Sequence, residues 1–157
     1  MHSHTIRVRY SECDPMGVAH HTAYPVWFEM GRTELLRSTG IEYSALEAEG
    51  VFLAVVKLEV TYKQPARYDE VLQLETELVE CGRVKIHHQY TLRRGAESLA
   101  TARTVLRLVL RRAVRRPRRH AAARAARPRA FLARQGARCA ADKSDEFLAD
   151  SARIVAL

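Results

Sequence analysis

The chain has 157 residues, 47% of them apolar and 28% charged, with a formal net charge of +8. That is enough for one domain with a buried core, and the balance is that of a folded chain rather than a disordered one. The longest strongly apolar run, residues 51–56, falls far short of the roughly 20 residues a membrane span needs, and residues 1–7 form no hydrophobic signal region.

The charge is unevenly placed. Residues 1–110 carry 13 Lys and Arg against 14 Asp and Glu, whereas residues 111–157 carry 13 against 4. The basic character belongs to the tail, so an inference of nucleic-acid binding from overall charge rests on the tail alone. The three cysteines, Cys13, Cys81 and Cys139, are widely spaced with no C-x-x-C pair. They form neither a disulfide framework nor a zinc pattern, and they fit a reducing cytoplasm.

In chain order, the first predicted strand is Thr5–Tyr10, with His2 and His4 in a loose terminus before it. The polar loop 11–17 follows, broken by Pro15 and Gly17. A helix starts next. Thr22 suits the N-cap, Pro25 the first turn and Gly40 the C′ position, and Arg37 favours the C-terminal end of the dipole. Tyr24, Phe28, Gly31 and Leu35 recur at helical spacing and draw one apolar stripe, which Trp27, Met30 and Leu36 widen. Gly31 in mid-helix is unfavourable by roughly 1 kcal/mol against Ala, which implies a close packing neighbour. A short helix is expected over Tyr43–Glu49.

From Val51 the period falls to two. Val56, Leu58, Val60 and Tyr62 share one face, and Pro65–Asp69 make a turn. Leu72, Leu74 and Leu78 alternate with Gln73, Glu75 and Glu77. Val84, Ile86, His88, Tyr90 and Leu92 then share a face, as do Ala100, Ala102, Thr104, Leu106, Leu108 and Leu110. A strand, a long helix and four strands joined by short turns predict an α+β domain of about five antiparallel strands with one helix covering the apolar face.

The domain is expected to span residues 1–110. Residues 111–141 hold 11 Arg and 11 Ala with no acidic residue, and neither period is clean. Three readings of the 111–157 tail stand open: a disordered or loosely helical extension, a nucleic-acid-binding arm of weak and salt-sensitive affinity, or a GC-rich gene read out of frame.

The chemistry concentrates in residues 7–24. Asp14 sits in a loop seven residues before His21, beside a helix N-terminus. Free N–H groups at such an end polarise a carbonyl and favour a developing oxyanion. A carboxylate beside them can attack an acyl carbon or activate water, although an Asp in a Pro/Gly loop is also an ordinary turn former.

The full string is more specific. Arg7-Val8, then Cys13-Asp14, then Gly17 resembles the signature of the 4-hydroxybenzoyl-CoA thioesterase family of hotdog-fold enzymes. The resemblance continues through His21-x-x-Tyr24, Trp27-Phe28-Glu29 and Arg32–Arg37, resumes at Pro65–Asp69, and covers about residues 5–110. Within the family it looks most like the bacterial Tol-Pal-associated acyl-CoA thioesterases.

The resemblance implies a hotdog fold, a long helix wrapped by the sheet. It also implies an acyl-CoA thioester hydrolase acting as a cytoplasmic homodimer or homotetramer, with no metal or redox cofactor. It makes Asp14 the catalytic carboxylate, as nucleophile or general base. Gly17, His21 and Tyr24 become the oxyanion and substrate-binding positions, the N–H of His21 polarising the thioester oxygen. A CoA thiol should ionise near pH 8.5 or so, so little acid assistance is needed. Cys13 is read as packing and Glu29–Arg32 as a structural pair. His88 is read as a satisfied core or interface histidine, and the neighbours His87 and His88 as pointing to opposite faces. Two other functions compete: a non-catalytic acyl-CoA-binding protein on the same fold, and nucleic-acid association through the tail.

Overall fold

The structure, a computed structural model, describes residues 1–110. The expectations for the tail, residues 111–157, lie outside the described residues. Five strands form one sheet: β1 (His2–Arg7), β2 (Val51–Tyr62), β3 (Val71–Cys81), β4 (Lys85–Arg94) and β5 (Glu97–Leu110). Their order across the sheet is β1-β3-β4-β5-β2, and every pairing is antiparallel. Helix α1 (Ala23–Arg37) lies along one face, and the short α2 (Tyr43–Ala48) leads into β2.

The stripe read from the sequence is the buried one. Tyr24, Trp27, Phe28, Gly31, Leu35 and Leu36 are all buried; Tyr24, Trp27 and Phe28 pack with Leu72, Leu74 and Leu92 of the sheet, while Leu36 packs with Ile86 and Leu106. Fully burying a side chain such as Phe28 or Leu72 is worth about 1.5–3 kcal/mol each, so this interface dominates stability. Gly31 is the close approach that its unfavourable propensity implied. A Cβ there would lie 2.5 Å from Thr76 Oγ1 and 2.6 Å from Leu74 Cδ2.

The N-terminal segment differs from the sequence reading. β1 begins at His2, and His2 and His4 are paired with Thr76 and Leu74 of β3 rather than loose. They alternate with exposed neighbours in the same register that buries Ile6. The strand stops at Arg7, three residues short of the expected end at Tyr10, which instead opens a 3-10 turn, Tyr10–Glu12. Two further adjustments are small. Gly40 has φ +80° but lies two residues past the C-cap Ser38, and β2 carries a bulge at Val56. The bulge reverses the alternation, so Leu53 and Val55 precede it on odd positions while Val60 and Tyr62 follow on even ones.

The inner face of the sheet is not uniformly apolar. In register across β4 and β5 stand Ile86 with Leu106, His88 with Thr104, and Tyr90 with Ala102. Tyr90 and Ala102 belong to the main core, while Ile86 and Leu106 belong to a second cluster with Leu36, Leu46 and Val51. His88 and Thr104 form a polar row between the two clusters.

Candidate active site

Local hydrogen bonds hold the loop between β1 and α1. The Asp14 N–H donates to Val18 O at 3.0 Å, and the Gly17 N–H returns to Asp14 O at 2.9 Å. Asp14 Oδ1 accepts the Met16 N–H at 2.8 Å, the Asx geometry that makes Asp a good turn residue. Gly17 supplies the φ of +76° that this tight turn requires. Asp14 is half-buried, and its Oδ2 has no hydrogen-bond partner among the described residues. One carboxylate oxygen therefore fixes the loop and the other keeps its lone pairs.

Glu12 anchors this loop to the helix, a role the sequence reading missed. Its Oε2 accepts the Arg9 N–H at 2.8 Å, and its Oε1 accepts the Trp27 Nε1–H at 3.0 Å. Its carbonyl takes the His20 N–H at 2.8 Å. The available signal was the buried Trp27, whose indole N–H must find an acceptor. A second tie comes from the turn after β2, where Ala66, fully buried, accepts the Ala19 N–H at 2.8 Å.

Thr22 occupies the N-cap position without capping through its side chain. Its Oγ1 instead pairs with His20 Nδ1 at 2.8 Å. The Ala23 N–H reaches His20 O at 2.9 Å, while no backbone acceptor among the described residues meets the His21 N–H. That leaves a free donor at the positive end of a 15-residue helix. The His21 side chain is exposed, its ring 4.1 Å from that of His20, and its carbonyl accepts the Tyr62 hydroxyl at 3.3 Å.

Tyr24 is only 3% exposed within the protomer, its ring packed on Trp27 and edge-on to Tyr62. Burial pushes its hydroxyl above the usual tyrosine range, offset by a hydrogen bond with the Ala66 backbone. Asp14, Gly17 and His21 thus share one loop-and-helix junction, and Tyr24 is buried in the first turn of α1 just after it.

The other chemistry-bearing side chains are placed as follows. Cys13 packs partly buried against the core. Arg32 and Glu29 pair at 3.2 Å. His87 faces away from His88 and comes within 4.0 Å of Glu80. His88 is buried, as read, but it is not satisfied: its Nδ1 has no partner. Burial pushes its pKa down to about 4, with the Arg32 charge and then His87 adding to the effect. The cavities on the protomer include one of about 270 Å³ beside His88 and one of about 400 Å³ beside Arg9 and Trp27, and Asp14 lines neither of these. Among the described residues no three His, Cys, Asp or Glu side chains gather as metal ligands, and no helix is long and apolar enough to cross a membrane.

Against known families, residues 8–135 match the thioesterase-like superfamily. The chain belongs to this superfamily. The match takes in the Asp14 loop, α1 and the whole sheet except β1, and runs past residue 110 into the Arg-rich segment. Among superfamily relatives, the putative acyl-CoA thioesterase YneP of Bacillus subtilis is 36% identical over 99 residues, 63% of this chain and 72% of that protein. The acyl-CoA thioester hydrolase YbgC of Escherichia coli O157:H7 is 41% identical over 73 residues, 46% of this chain and just over half, 54%, of that protein. The crystal structure of the hypothetical protein TT1821 from Thermus thermophilus superposes with a TM-score of 0.68 at 38% identity, covering 74% of this chain and 91% of that one. The sheet order and the covering helix are those of the hotdog fold.

Proposed function

We propose that the chain hydrolyses an acyl-CoA thioester to the free acid and CoA. The observation that carries the proposal is the free Oδ2 of Asp14 on a loop tied to a helix end whose His21 N–H lacks an acceptor. In this reading the thioester oxygen sits at the His21 N–H, and the dipole of α1 adds to the stabilisation of the tetrahedral oxyanion. Asp14 Oδ2 supplies the electron pair, either to the acyl carbon or to the proton of an attacking water. In the water route the oxygen–carbon bond forms as Asp14 takes the proton. The carbon–sulfur bond then breaks and the proton leaves with the CoA thiolate. Gly17, which has no side chain, leaves the approach to the loop open, with nothing within 4 Å of its missing Cβ. The names of YneP and YbgC support the substrate class, and the resemblance of residues 7–37 supports the finer reading, a member of the Tol-Pal-associated subgroup.

The working unit in this proposal is a cytoplasmic homodimer or homotetramer. β2 is an edge strand whose free side pairs with nothing among the described residues, and Val55, Val56, Leu58 and Tyr62 on it are between 38% and 53% exposed. An unprotected edge with that many apolar side chains calls for a covering partner. A second copy seated on this edge would bring further walls for the acyl group. In this proposal residues 1–110 are the thioesterase domain and residues 111–157 an Arg/Ala-rich tail.

The test is thiol release from a panel of short, long and aromatic acyl-CoA substrates, comparing the parent chain with Asp14→Asn. Hydrolysis by the parent that is lost in the variant supports the proposal. No hydrolysis across the panel contradicts it and favours a binding protein on the same fold.

A further inference from the structure

The bulge in β2 decides which way Tyr62 points. Val51, Leu53 and Val55 share the inner face, and Val56 is the extra residue. In an unbroken alternation Thr61 would turn inward and Tyr62 outward. With the bulge, Tyr62 stands opposite Ala100, a core residue on the face that α1 covers. A bulge that re-aims one side chain recurs beside active sites.

The re-aimed side chain meets the start of α1 twice. Its ring stands edge-on to Tyr24, with centroids 4.9 Å apart at 88°, and its hydroxyl donates to His21 O at 3.3 Å. Tyr24 is a firm abutment, because it is buried and packs in turn on Trp27. Burial pushes the Tyr62 hydroxyl above the usual tyrosine range, so it remains a protonated donor at neutral pH. The helix packs chiefly on β3 and β1, so Tyr62 is a tie from β2 to the helix end.

The two carbonyls that flank the His21 N–H are both held. The Ala23 N–H donates to His20 O at 2.9 Å and polarises the His21 N–H through their shared amide. Tyr62 holds the next carbonyl, that of His21 itself. Residue 21 therefore has little freedom to tilt, and its N–H keeps one direction. The Tyr62 bond is long for an O–H donor, and hydrogen bonds that serve catalysis are often long in a free enzyme and tighten in the transition state.

We propose that Tyr62 is a positioning residue for thioester hydrolysis: its hydroxyl clamps the His21 carbonyl and so aims the His21 N–H at the developing oxyanion. The role rests on the proposed function. Tyr62 touches no reacting atom and acts through His21 alone.

The test is steady-state hydrolysis of the acyl-CoA panel by the full chain, Tyr62→Phe and a control, Tyr68→Phe, with fold and mass checked for each. Tyr68 is 57% exposed and packs edge-on against Tyr10 instead. Tyr62→Phe keeps the ring on Tyr24 and removes only the hydroxyl. Its kcat should fall about three- to tenfold, the effect of one neutral hydrogen bond, with KM within about twofold of the parent. Tyr68→Phe should match the parent. Without substrate, the NMR signal of the His21 carbonyl carbon should move upfield in Tyr62→Phe and stay in place in Tyr68→Phe. An active parent with an unchanged kcat in Tyr62→Phe, a loss carried by KM, or an unmoved carbonyl signal would overturn the role of Tyr62 and leave the proposed function standing. A parent inactive across the whole panel would overturn both. Should Tyr62→Phe fail to fold or assemble, Tyr62→Leu, which also lacks the hydroxyl, is held to the same outcomes.

Discussion

Gly31 and Thr76 meet where α1 crosses β3: a Cβ on residue 31 would stand 2.5 Å from the Thr76 hydroxyl oxygen. The sheet side of this contact is rigid, because Thr76 is β-branched and fully buried. The helix therefore reaches its depth on the sheet only with glycine at this place. That depth seats Trp27 against Glu12 and so fixes the loop carrying Asp14.

Gly31→Ala should accordingly destabilise the domain. Ala gains up to about 1 kcal/mol of helix propensity, but forcing a methyl into a filled contact costs about 1–3 kcal/mol. A net loss of about 1 kcal/mol in urea unfolding is expected. A variant more stable than the parent would show that α1 can lift away from β3 at no penalty.

Glu12→Ala should loosen the loop as well as the fold. It leaves the Arg9 N–H and the Trp27 indole N–H without their acceptor. Each such loss is worth about 1–3 kcal/mol where burial keeps water out. Trp27 emission should shift to the red as water reaches the ring, and Glu12→Gln, which keeps one acceptor oxygen, should recover part of the stability. Unchanged emission in Glu12→Ala would remove this residue from the account.

How much of this was legible in advance follows the physics of each signal. The helix stripe and the strand alternation were legible because burial repeats at 3.6 and at two residues, and Phe28, Leu74 and Tyr90 sit where those periods place them. Gly31 was legible as an anomaly, since an unfavourable residue in mid-helix needs a reason. The start of β1 at His2 was not, because an edge strand with alternating polar residues carries little hydrophobic pattern. The Glu12–Trp27 bond joins residues of different elements, and periodicity says nothing about such a partner. The Asp14 motif was legible as a string, whereas the division of labour between Oδ1 and Oδ2 needed the loop geometry. For His88 the face was legible and the missing partner was not.

His88 should make stability fall in mild acid. Its folded-state pKa is lowered from 6.5 to about 4, so between those values the unfolded chain binds more protons than the folded one. Its contribution is then fully present above pH 6.5 and declines as the pH falls toward 4. Between about pH 7.5 and about pH 5 the loss should be about 2 kcal/mol relative to His88→Gln, which cannot titrate there. Parallel stability–pH curves for the two proteins would mean that His88 is not buried neutral.

The edge of β2 sets the assembly prediction. Light scattering at micromolar concentration should give at least twice the 17.8 kDa of one chain. Val56→Lys with Leu58→Lys should shift the mass toward one chain by placing charges on the covering face. A parent that is monomeric, or a double variant of unchanged mass, would contradict the pairing through β2.

The central claim is the carboxylate of Asp14, and the most direct measurement is acyl-CoA hydrolysis by Asp14→Asn. The Asn carbonyl oxygen can still accept the Met16 N–H, so the turn should survive while the charge is lost. With fold and mass checked against the parent, kcat should fall on the order of 100-fold or more and KM should change little. Cys13→Ser, by contrast, should retain most activity. An Asp14→Asn enzyme that turns over like the parent, alongside an inactive Cys13→Ser, would contradict the carboxylate mechanism and put a thiol in its place.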